Sequence, residues 1–237
     1  MDEHGASLQK HPKEYRYRFD FLGDSYTSAF GVLSGRNKKC MLKMKHIQSC
    51  LESWAVKLSN RFDADYRVMA YSGKGVYKNC YTFGKKTLGT LFTQITDNSK
   101  PYSYQYQDKT IPDVIFFWAG SNDYTLILHP DRVPFVRAYK EMLMTALRFL
   151  LLAAPEAKPI FICLCGVEEN KQQCRNIKTA VEEFRYAYGN VHFLEIGKGP
   201  LAKENLGCIG HPDVKGQQLI ADLLYPQVKE ILERSGR

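Results

Sequence analysis

The sequence predicts an α/β fold, a three-layer α/β/α sandwich in which helices cover both faces of a five-stranded parallel sheet. Short apolar runs typical of buried strands alternate with segments whose apolar residues recur every three or four positions, as on one face of a helix. Strands that alternate with helices are joined by crossovers, which leave the strands parallel. Three strands also end in polar, glycine-containing turns, and parallel strands bring such turns to one edge of the sheet.

The predicted elements occupy one domain, residues 17–237, after a polar and aperiodic tail of residues 1–16. We expect strands at 17–22, 66–70, 113–118, 159–164 and 191–196, and helices at 47–62, 87–95, 131–153, 168–188 and 213–234. The first helix is predicted from an apolar stripe that includes Leu51 and Trp54, which places Trp54 in the core. Two polar connections, 31–40 and 76–111, separate the early elements.

The composition restricts the class of protein. The chain has 237 residues, 44% hydrophobic and 24% charged, which fits one well-buried domain. The formal net charge is +8, but the lysines and arginines are scattered, which indicates a solvated basic surface. No apolar stretch reaches the about 18 residues of a membrane span, and the opening residues lack the layout of a signal peptide. We expect a monomer with no nucleic-acid partner, no membrane partner and no export signal.

The seven cysteines are an odd number, which argues against a complete disulfide framework. Cys163 and Cys165 alternate within an apolar strand, as buried thiols do, and the other five lack the spacing of a metal site. Those five are Cys40, Cys50, Cys80, Cys174 and Cys208. We therefore expect mostly free thiols, no bound metal and a reducing compartment such as the cytoplasm.

The first of the three turns holds a candidate nucleophile. An alternating apolar run, residues 19–22, stops at Gly23-Asp24-Ser25, and a helical pattern follows. A serine at the carboxyl end of a strand faces the crevice where α/β proteins bind ligands. Gly-Asp-Ser is also ordinary turn chemistry, so the assignment depends on what the other turns carry.

Three further motifs accompany it in chain order. They are Ser72-Gly73-Lys74-Gly75 after the second strand, Gly120-Ser121-Asn122-Asp123 after the third, and His211-Pro212-Asp213 before the last helix. With these motifs the chain resembles the SGNH (GDSL-type) hydrolases from about residue 17 to residue 231. Segments 70–79 and 207–216 most resemble carbohydrate esterase family two, whose members remove acetyl groups from plant polysaccharides.

The resemblance implies a flavodoxin-like sheet with strand order 2-1-3-4-5. Family-two esterases are usually secreted and carry a β-sandwich ahead of the hydrolase domain. The tail of residues 1–16 is too short to form a β-sandwich, so we expect that the β-sandwich was removed or that this member lacks one. The predicted reducing compartment and the secretion usual for the family conflict, and the sequence leaves that conflict open.

The resemblance also implies roles for four residues. Ser25 is the nucleophile, and His211 is the base that takes its proton. The oxyanion that forms is met by the backbone N–H groups of Ser25 and Gly73 and by the side-chain amide of Asn122. Glycine allows close backbone approach, and asparagine offers an NH₂ donor that aspartate lacks. The other histidines are expected to be structural or on the surface; they are His4, His11, His46, His129 and His192.

The sequence departs from the usual family pattern at Cys208, because an aspartate normally stands three residues before the histidine. Something else must therefore accept the hydrogen bond from the second ring nitrogen of His211. Family-two esterases use a Ser-His dyad completed by a main-chain carbonyl, which corresponds here to the carbonyl of Gly210. Asp213 is the alternative, although it more naturally opens the last helix.

The resemblance implies a serine esterase that removes O-acetyl groups from carbohydrates, without metal or organic cofactor, through an acyl-Ser25 intermediate. Tyr26, Trp118 and Tyr124 are expected to bound a short acyl pocket, and Asp24 and Asp123 to support the turns. Tyrosines 102, 104 and 106 either stack on sugar rings or pack a surface connection. The alternatives are a small-molecule carboxylesterase, thioesterase or lipid acyl hydrolase of the same fold, and a non-catalytic glycan-binding module.

Overall fold

The computed structural model describes residues 13–35, 46–80, 85–94, 106, 110–125, 131–166 and 171–237. Five parallel strands form one sheet in the order β2-β1-β3-β4-β5, as predicted. The strands are β1 (Tyr17–Gly23), β2 (Ala64–Ala70), β3 (Val114–Trp118), β4 (Ile160–Gly166) and β5 (Val191–Ile196). Several sequence expectations fall outside the described residues: Tyr102, Tyr104, His4, His11, His129, Cys40 and part of the 31–40 connection.

The helices lie on both faces of this sheet and complete the three layers. They are α1 (Trp54–Phe62), α2 (Leu88–Leu91), α3 (Arg132–Ala153), α4 (Lys171–Arg185) and α5 (Val214–Arg234). One apolar cluster joins the sheet to α2, α3 and α4, and the other joins it to α1 and α5. Strand β3 is buried along its whole length because its alternate side chains enter the two clusters. The predicted sandwich is therefore confirmed.

Helix α1 begins seven residues later than the sequence predicted. The Ser53 Oγ accepts a hydrogen bond from the Val56 N–H at 3.2 Å, so Ser53 is an N-cap and the helix starts at Trp54. Cys50–Glu52 form a short 3-10 turn instead, and Leu51 is 66% exposed. The apolar stripe therefore does not extend back to Leu51, whereas Trp54 is fully buried in the core as expected.

A buried charge cluster anchors the long connection after β2. Arg67 on β2 donates to Asp20 on β1 through Nη2 at 2.5 Å and Nε at 3.1 Å. The Tyr106 hydroxyl donates to the same carboxylate, and the Arg67 guanidinium lies 4.6 Å from the centre of the Tyr106 ring. Burial raises the pKa of Asp20, although the charge of Arg67 opposes this shift. Tyr106 is thus a core residue, which excludes a sugar-stacking role for its ring.

The prediction of mostly free thiols was wrong. Cys165, at the end of β4, is disulfide-bonded to Cys174 in the first turns of α4, and the two Cα atoms are 5.6 Å apart. Cys208 is disulfide-bonded as well. Of the described cysteines, Cys50, Cys80 and Cys163 are free. Because disulfides persist in oxidising environments, the argument from cysteine usage for a reducing compartment is lost.

The described ranges contain neither a candidate membrane-spanning helix nor a candidate metal cluster. No helix there is both long and apolar enough to cross a bilayer. Within the same ranges, no three His, Cys, Asp or Glu side chains cluster in a way that could hold a metal ion.

We expect the double substitution Cys165→Ser and Cys174→Ser to lower the free energy of unfolding by about 2–3 kcal/mol, because the crosslink closes a short loop in the unfolded chain. Urea unfolding of the two proteins measures the difference. Cys50→Ser is the control, since Cys50 is exposed and free, and it should leave the stability unchanged. An unchanged midpoint in the double variant would contradict the crosslink between β4 and α4.

Candidate active site

The turns after β1, β2 and β3 are hydrogen-bonded to one another at the carboxyl edge of the sheet. The Asp24 N–H donates to the Trp118 carbonyl at 3.2 Å, and the Tyr71 N–H donates to the Gly23 carbonyl at 3.0 Å. Further out, the hydroxyl oxygens of Ser28 and Ser72 are 3.1 Å apart. The predicted convergence of the three turns is therefore present.

The first turn requires a glycine at position 23. A Cβ there would lie 2.1 Å from Thr27 Oγ1 and 2.7 Å from the Trp118 carbonyl oxygen, both well inside van der Waals contact. The missing side chain lets the chain leave β1 close against β3. Ser25 follows two residues later, with only 7% of its surface exposed.

Ser25 and His211 form a hydrogen-bonded pair although they are 186 residues apart, with 2.7 Å between Ser25 Oγ and His211 Nε2. The other ring nitrogen, Nδ1, lies 3.1 Å from the carbonyl oxygens of both Cys208 and Ile209. Carbonyl oxygens can only accept, so this arrangement assigns the proton to Nδ1. The lone pair of Nε2 then faces the hydroxyl of Ser25, which is the tautomer a base needs.

The turn that presents these carbonyls replaces the predicted contact with Gly210, which was wrong. Ile209 has φ 49° and ψ 41°, a left-handed conformation that is rare for a branched residue. This conformation directs the carbonyls of Cys208 and Ile209, rather than that of Gly210, toward the imidazole. The turn is held from outside, because the Cys208 N–H donates to Ser34 Oγ at 3.0 Å and Cys208 itself is disulfide-bonded.

Asp213, the alternative partner of His211, has a different role. Its Oδ1 accepts a hydrogen bond from the Gly216 N–H at 2.9 Å, and its backbone dihedrals are extended. Asp213 is therefore the N-cap of α5. No carboxylate among the described residues bonds to the imidazole of His211.

Aromatic rings surround the imidazole. Its centre lies 5.1 Å from that of the Tyr26 ring and 4.9 Å from that of the Phe30 ring. Tyr26 in turn stacks on Trp118, with 5.2 Å between centroids and 12° between the planes. Burial lowers the pKa of His211 below its ordinary value of 6.5, although the two carbonyl contacts raise it. The neutral, proton-accepting form of His211 is therefore favoured at neutral pH.

The residues expected to meet an oxyanion lie at the same edge. Gly73 has φ 80°, and Asn122 Nδ2 donates to the Lys74 carbonyl at 2.9 Å, so that amide is held by the turn after β2. An asparagine amide has two N–H bonds, and this contact uses one of them. In the part of the chain that the structure describes, the backbone N–H groups of Ser25 and Gly73 donate to no protein acceptor.

Asp123 holds the loop after β2 in place. Its carboxylate accepts hydrogen bonds from the N–H groups of Val76 (2.8 Å), Tyr77 (2.8 Å) and Lys78 (2.7 Å). Burial raises the pKa of Asp123 from 3.8 to about 6, although these N–H groups oppose the shift. The sequence predicted that Asp123 supports a turn. In the structure it orders the loop that follows Gly73.

Asp24 links the first turn to the third. Its Oδ1 accepts from the Tyr26 N–H at 3.1 Å, and its Oδ2 accepts from the Ser121 hydroxyl. Burial raises the pKa of Asp24 from 3.8 to about 6, against these two hydrogen bonds. Because the folded-state pKa exceeds the unfolded value, ionisation of Asp24 costs stability as the pH rises from 3.8 to about 6. Sequence reasoning missed Ser121, although its place beside Asn122 was visible.

Two of the three predicted pocket residues lie in the core. Trp118 is 2% exposed and packs against Trp54, while Tyr124 is 6% exposed and accepts a hydrogen bond from Asn176 Nδ2 at 2.6 Å. These side chains offer almost no surface to a ligand, so the expectation that they bound a pocket was wrong. Tyr26 is partly exposed beside His211 and remains a candidate.

Two proteins of similar sequence are named as esterases. No protein-family model matches the chain. An acetylxylan esterase/glucomannan deacetylase of Cellvibrio japonicus (strain Ueda107) is 24% identical over 225 residues, covering 92% of this chain and 60% of the relative. The cellulase/esterase CelE of Acetivibrio thermocellus is 28% identical over 238 residues, covering 98% of this chain and 28% of the relative. The chain thus spans less than two thirds of the length of either relative.

A solved structure agrees with these sequence relatives. A family two carbohydrate esterase from Clostridium thermocellum, determined in complex with cellohexaose, matches with a TM-score of 0.75 at 24% identity, covering 96% of this chain and 68% of that one. The sheet order and this match identify the three-layer fold of the SGNH hydrolases. The chain is thus similar in fold to a family two carbohydrate esterase and similar in sequence to two proteins that are named as esterases, as its motifs predicted.

The pH dependence of ester hydrolysis should report on His211. The rate constant kcat/KM should rise as the histidine loses its proton, and the midpoint of this acidic limb should lie below pH 6.5 because burial lowers the pKa. Stopped assays with p-nitrophenyl acetate across pH 4–9, together with ¹⁵N NMR of the imidazole, would locate it. A midpoint above 6.5 would show that the imidazolium is stabilised by an acid.

A pair of substitutions at Asp213 separates a catalytic carboxylate from a helix cap. Asp213→Asn keeps a side-chain acceptor for the Gly216 N–H but removes the charge, so both turnover and stability should stay close to those of the parent. Asp213→Ala should retain turnover and lose about 1 kcal/mol of stability. Loss of turnover by a hundredfold or more in Asp213→Asn would identify the carboxylate as the partner of His211.

Proposed function

We propose that the chain is a serine esterase that removes O-acetyl groups from carbohydrates through an acyl-serine intermediate. The observation that supports it most directly is the 2.7 Å contact between Ser25 Oγ and His211 Nε2, with Nδ1 of the same ring facing two carbonyl oxygens. A binding module would have no use for a nucleophile aligned with a base. The proposed dyad therefore favours catalysis over glycan binding alone.

The first half of the reaction acylates Ser25. Nε2 of His211 takes the hydroxyl proton as Oγ attacks the acetyl carbonyl carbon, and negative charge moves to the carbonyl oxygen. The N–H groups of Ser25 and Gly73 and the amide of Asn122 are the proposed donors to that oxygen. The tetrahedral intermediate collapses when the imidazolium gives its proton to the departing sugar oxygen. A free sugar hydroxyl leaves, and the acetyl group stays on Ser25.

The second half releases the acetyl group. Water replaces the sugar, His211 takes a proton from it, and the resulting attack forms a second tetrahedral intermediate. Its collapse returns the proton to Ser25 Oγ and frees acetic acid, which loses its proton to water as acetate, and the starting state of the dyad is restored. The imidazolium that forms in each half is met by the carbonyl dipoles of Cys208 and Ile209, in place of a carboxylate. The chain's own side chains supply every proton transfer in this scheme.

The proposed substrate class follows from the relatives. A relative at 24% identity is named an acetylxylan esterase/glucomannan deacetylase, which makes an acetylated polysaccharide or oligosaccharide the natural first choice here. Tyr26 is the candidate wall of the acyl site, because its ring is partly exposed and lies 5.1 Å from the imidazole. The same dyad would also cleave small esters, thioesters or lipid esters, so only a substrate comparison separates these readings.

The dyad is tested by substitution. Ser25→Ala and His211→Ala should each lower kcat/KM on p-nitrophenyl acetate by about a thousandfold or more, because each removes a group that acts in the transition state. His46→Ala is the matched control, since His46 is exposed, and it should leave the rate unchanged. Parental turnover in either dyad variant would end the proposal.

The substrate class is tested by a panel at equal enzyme concentration. Acetate release from acetylated xylan and acetylated glucomannan is compared with cleavage of p-nitrophenyl octanoate, a thioester and a phospholipid. Rapid acetate release with slow octanoate cleavage supports a carbohydrate deacetylase with a short acyl site. Comparable rates on acetate and octanoate esters would contradict it.

A further inference from the structure

A basic groove runs between α3 and α4 on one face of the sandwich. Two adjoining cavities form it, of about 380 and 530 Å³, and both are lined by Arg132. The cations along them define what we call the basic groove: Arg132, Arg137, Lys140, Arg175 and Lys178. A concave surface of this kind surrounds more of a bound group than a flat charged face does.

Most of the positive charge in this groove is not neutralised. Lys140 pairs with Glu183, with 2.8 Å between Nζ and Oε2, and Glu182 is the other acid that lines the groove. Within the described ranges, the other four cations form no ion pair. The groove therefore keeps an excess of positive charge after its own glutamates are counted.

The two arginines nearest the catalytic edge have their guanidinium groups held by neutral partners. Arg132 Nη2 donates to Thr179 Oγ1 at 3.4 Å, which bridges α3 and α4. Arg175 Nη2 donates to Gln172 Oε1 at 2.7 Å. Neither contact neutralises the charge of its arginine, because both acceptors are uncharged. A planar guanidinium with unused N–H groups is well suited to bind a carboxylate through two parallel hydrogen bonds.

A short series of contacts connects the basic groove to the turn that carries Asn122. Asn176 lines the groove, and its Nδ2 donates to the Tyr124 hydroxyl at 2.6 Å. Tyr124 belongs to the same short turn as Asn122, the proposed oxyanion donor. A polymer that extends from Ser25 past the turn of Asn122 would reach the groove.

We infer that the basic groove binds the carboxylate of an acidic glycan, so that the preferred substrate of the esterase is an acetylated polysaccharide that also carries uronic acid groups. The acetyl ester in this inference rests on the proposed deacetylase function, and the uronic acid carboxylate rests on the basic groove. Arg132 and Arg175 lie near the beginnings of α3 and α4, at the edge of the sheet that carries Ser25, so a charged group carried by the substrate fits them better than an unrelated nucleic acid does.

The test compares acetylated xylan bearing glucuronic acid side groups with the same polymer after enzymatic removal of those groups. Arg132→Gln with Arg175→Gln should raise KM on the acidic polymer about three- to tenfold at low salt, with kcat unchanged, because two exposed charge contacts are lost. The effect should fade at 0.5 M NaCl, where surface charges are screened. The double variant should act like the parent on the uronate-free polymer and on p-nitrophenyl acetate.

The control removes two positive charges elsewhere. Arg148→Gln with Lys158→Gln changes exposed side chains near the opposite edge of the sheet and should leave KM on the acidic polymer unchanged. An equal rise of KM in this control would overturn the inference. An equal rise of KM on both polymers in the groove variant would overturn it as well. A third result would also overturn it: the parent binds duplex DNA in a salt-sensitive way, the groove variant does not, and the parent shows no preference for the acidic polymer.

A binding measurement separates failure of the groove from failure of the esterase proposal. Calorimetric titration of Ser25→Ala with a xylo-oligosaccharide that carries one glucuronic acid, and with its unsubstituted counterpart, needs no hydrolysis. We expect Ser25→Ala to bind the acidic oligosaccharide more tightly than the unsubstituted one, and the difference to disappear when the two groove substitutions are added. This result supports the inference even if no polymer is deacetylated. Equal binding of the two oligosaccharides would overturn it.

Discussion

The contact of one imidazole nitrogen with two main-chain carbonyls is the constraint on which the site depends. It assigns the proton to Nδ1 of His211 and leaves Nε2 to face Ser25 at 2.7 Å. Carbonyl dipoles stabilise an imidazolium less than a full negative charge does, which agrees with a pKa lowered by burial. The turn of residues 208–210 must therefore be rigid. The contact of Cys208 with Ser34 and the disulfide of Cys208 hold it. Cys208 is the position at which the SGNH pattern has an aspartate.

Buried acids hold the other side of the site instead of contacting the imidazole. Asp24 joins the turn after β1 to that after β3, and Asp123 orders three consecutive N–H groups in the loop after β2. Burial raises the pKa of both carboxyl groups to about 6. Each costs stability when ionised, and together they set the relative positions of Ser25, Gly73 and Asn122. In the proposed reaction, donors fixed in this way would not have to reorganise when negative charge develops on the carbonyl oxygen.

The fold places the beginnings of α3 and α4, which carry Arg132 and Arg175 of the basic groove, at the same edge of the sheet as Ser25. In a parallel sheet every strand delivers its following turn to the same edge, and the helices that follow start there too. The chain leaves β3 through the Asn122 turn before α3, and leaves β4 close to the disulfide that joins it to α4. Side chains near the beginnings of α3 and α4 therefore surround the edge that carries Ser25.

The sequence by itself determined the layers, the strand limits to within two residues, and which residues stand at the carboxyl edge, because apolar periodicity and turn chemistry are local. Strand β5 has the predicted bounds at both ends. Helix α1 begins later than its apolar stripe predicted, because Ser53 caps its first turn. Only the tertiary structure decided which carbonyls hold His211, that Asp213 caps α5, that Trp118 and Tyr124 are buried, and that Cys165 meets Cys174. Those outcomes depend on backbone torsions such as the φ of 49° at Ile209 and on distances between remote segments, which no residue pattern encodes.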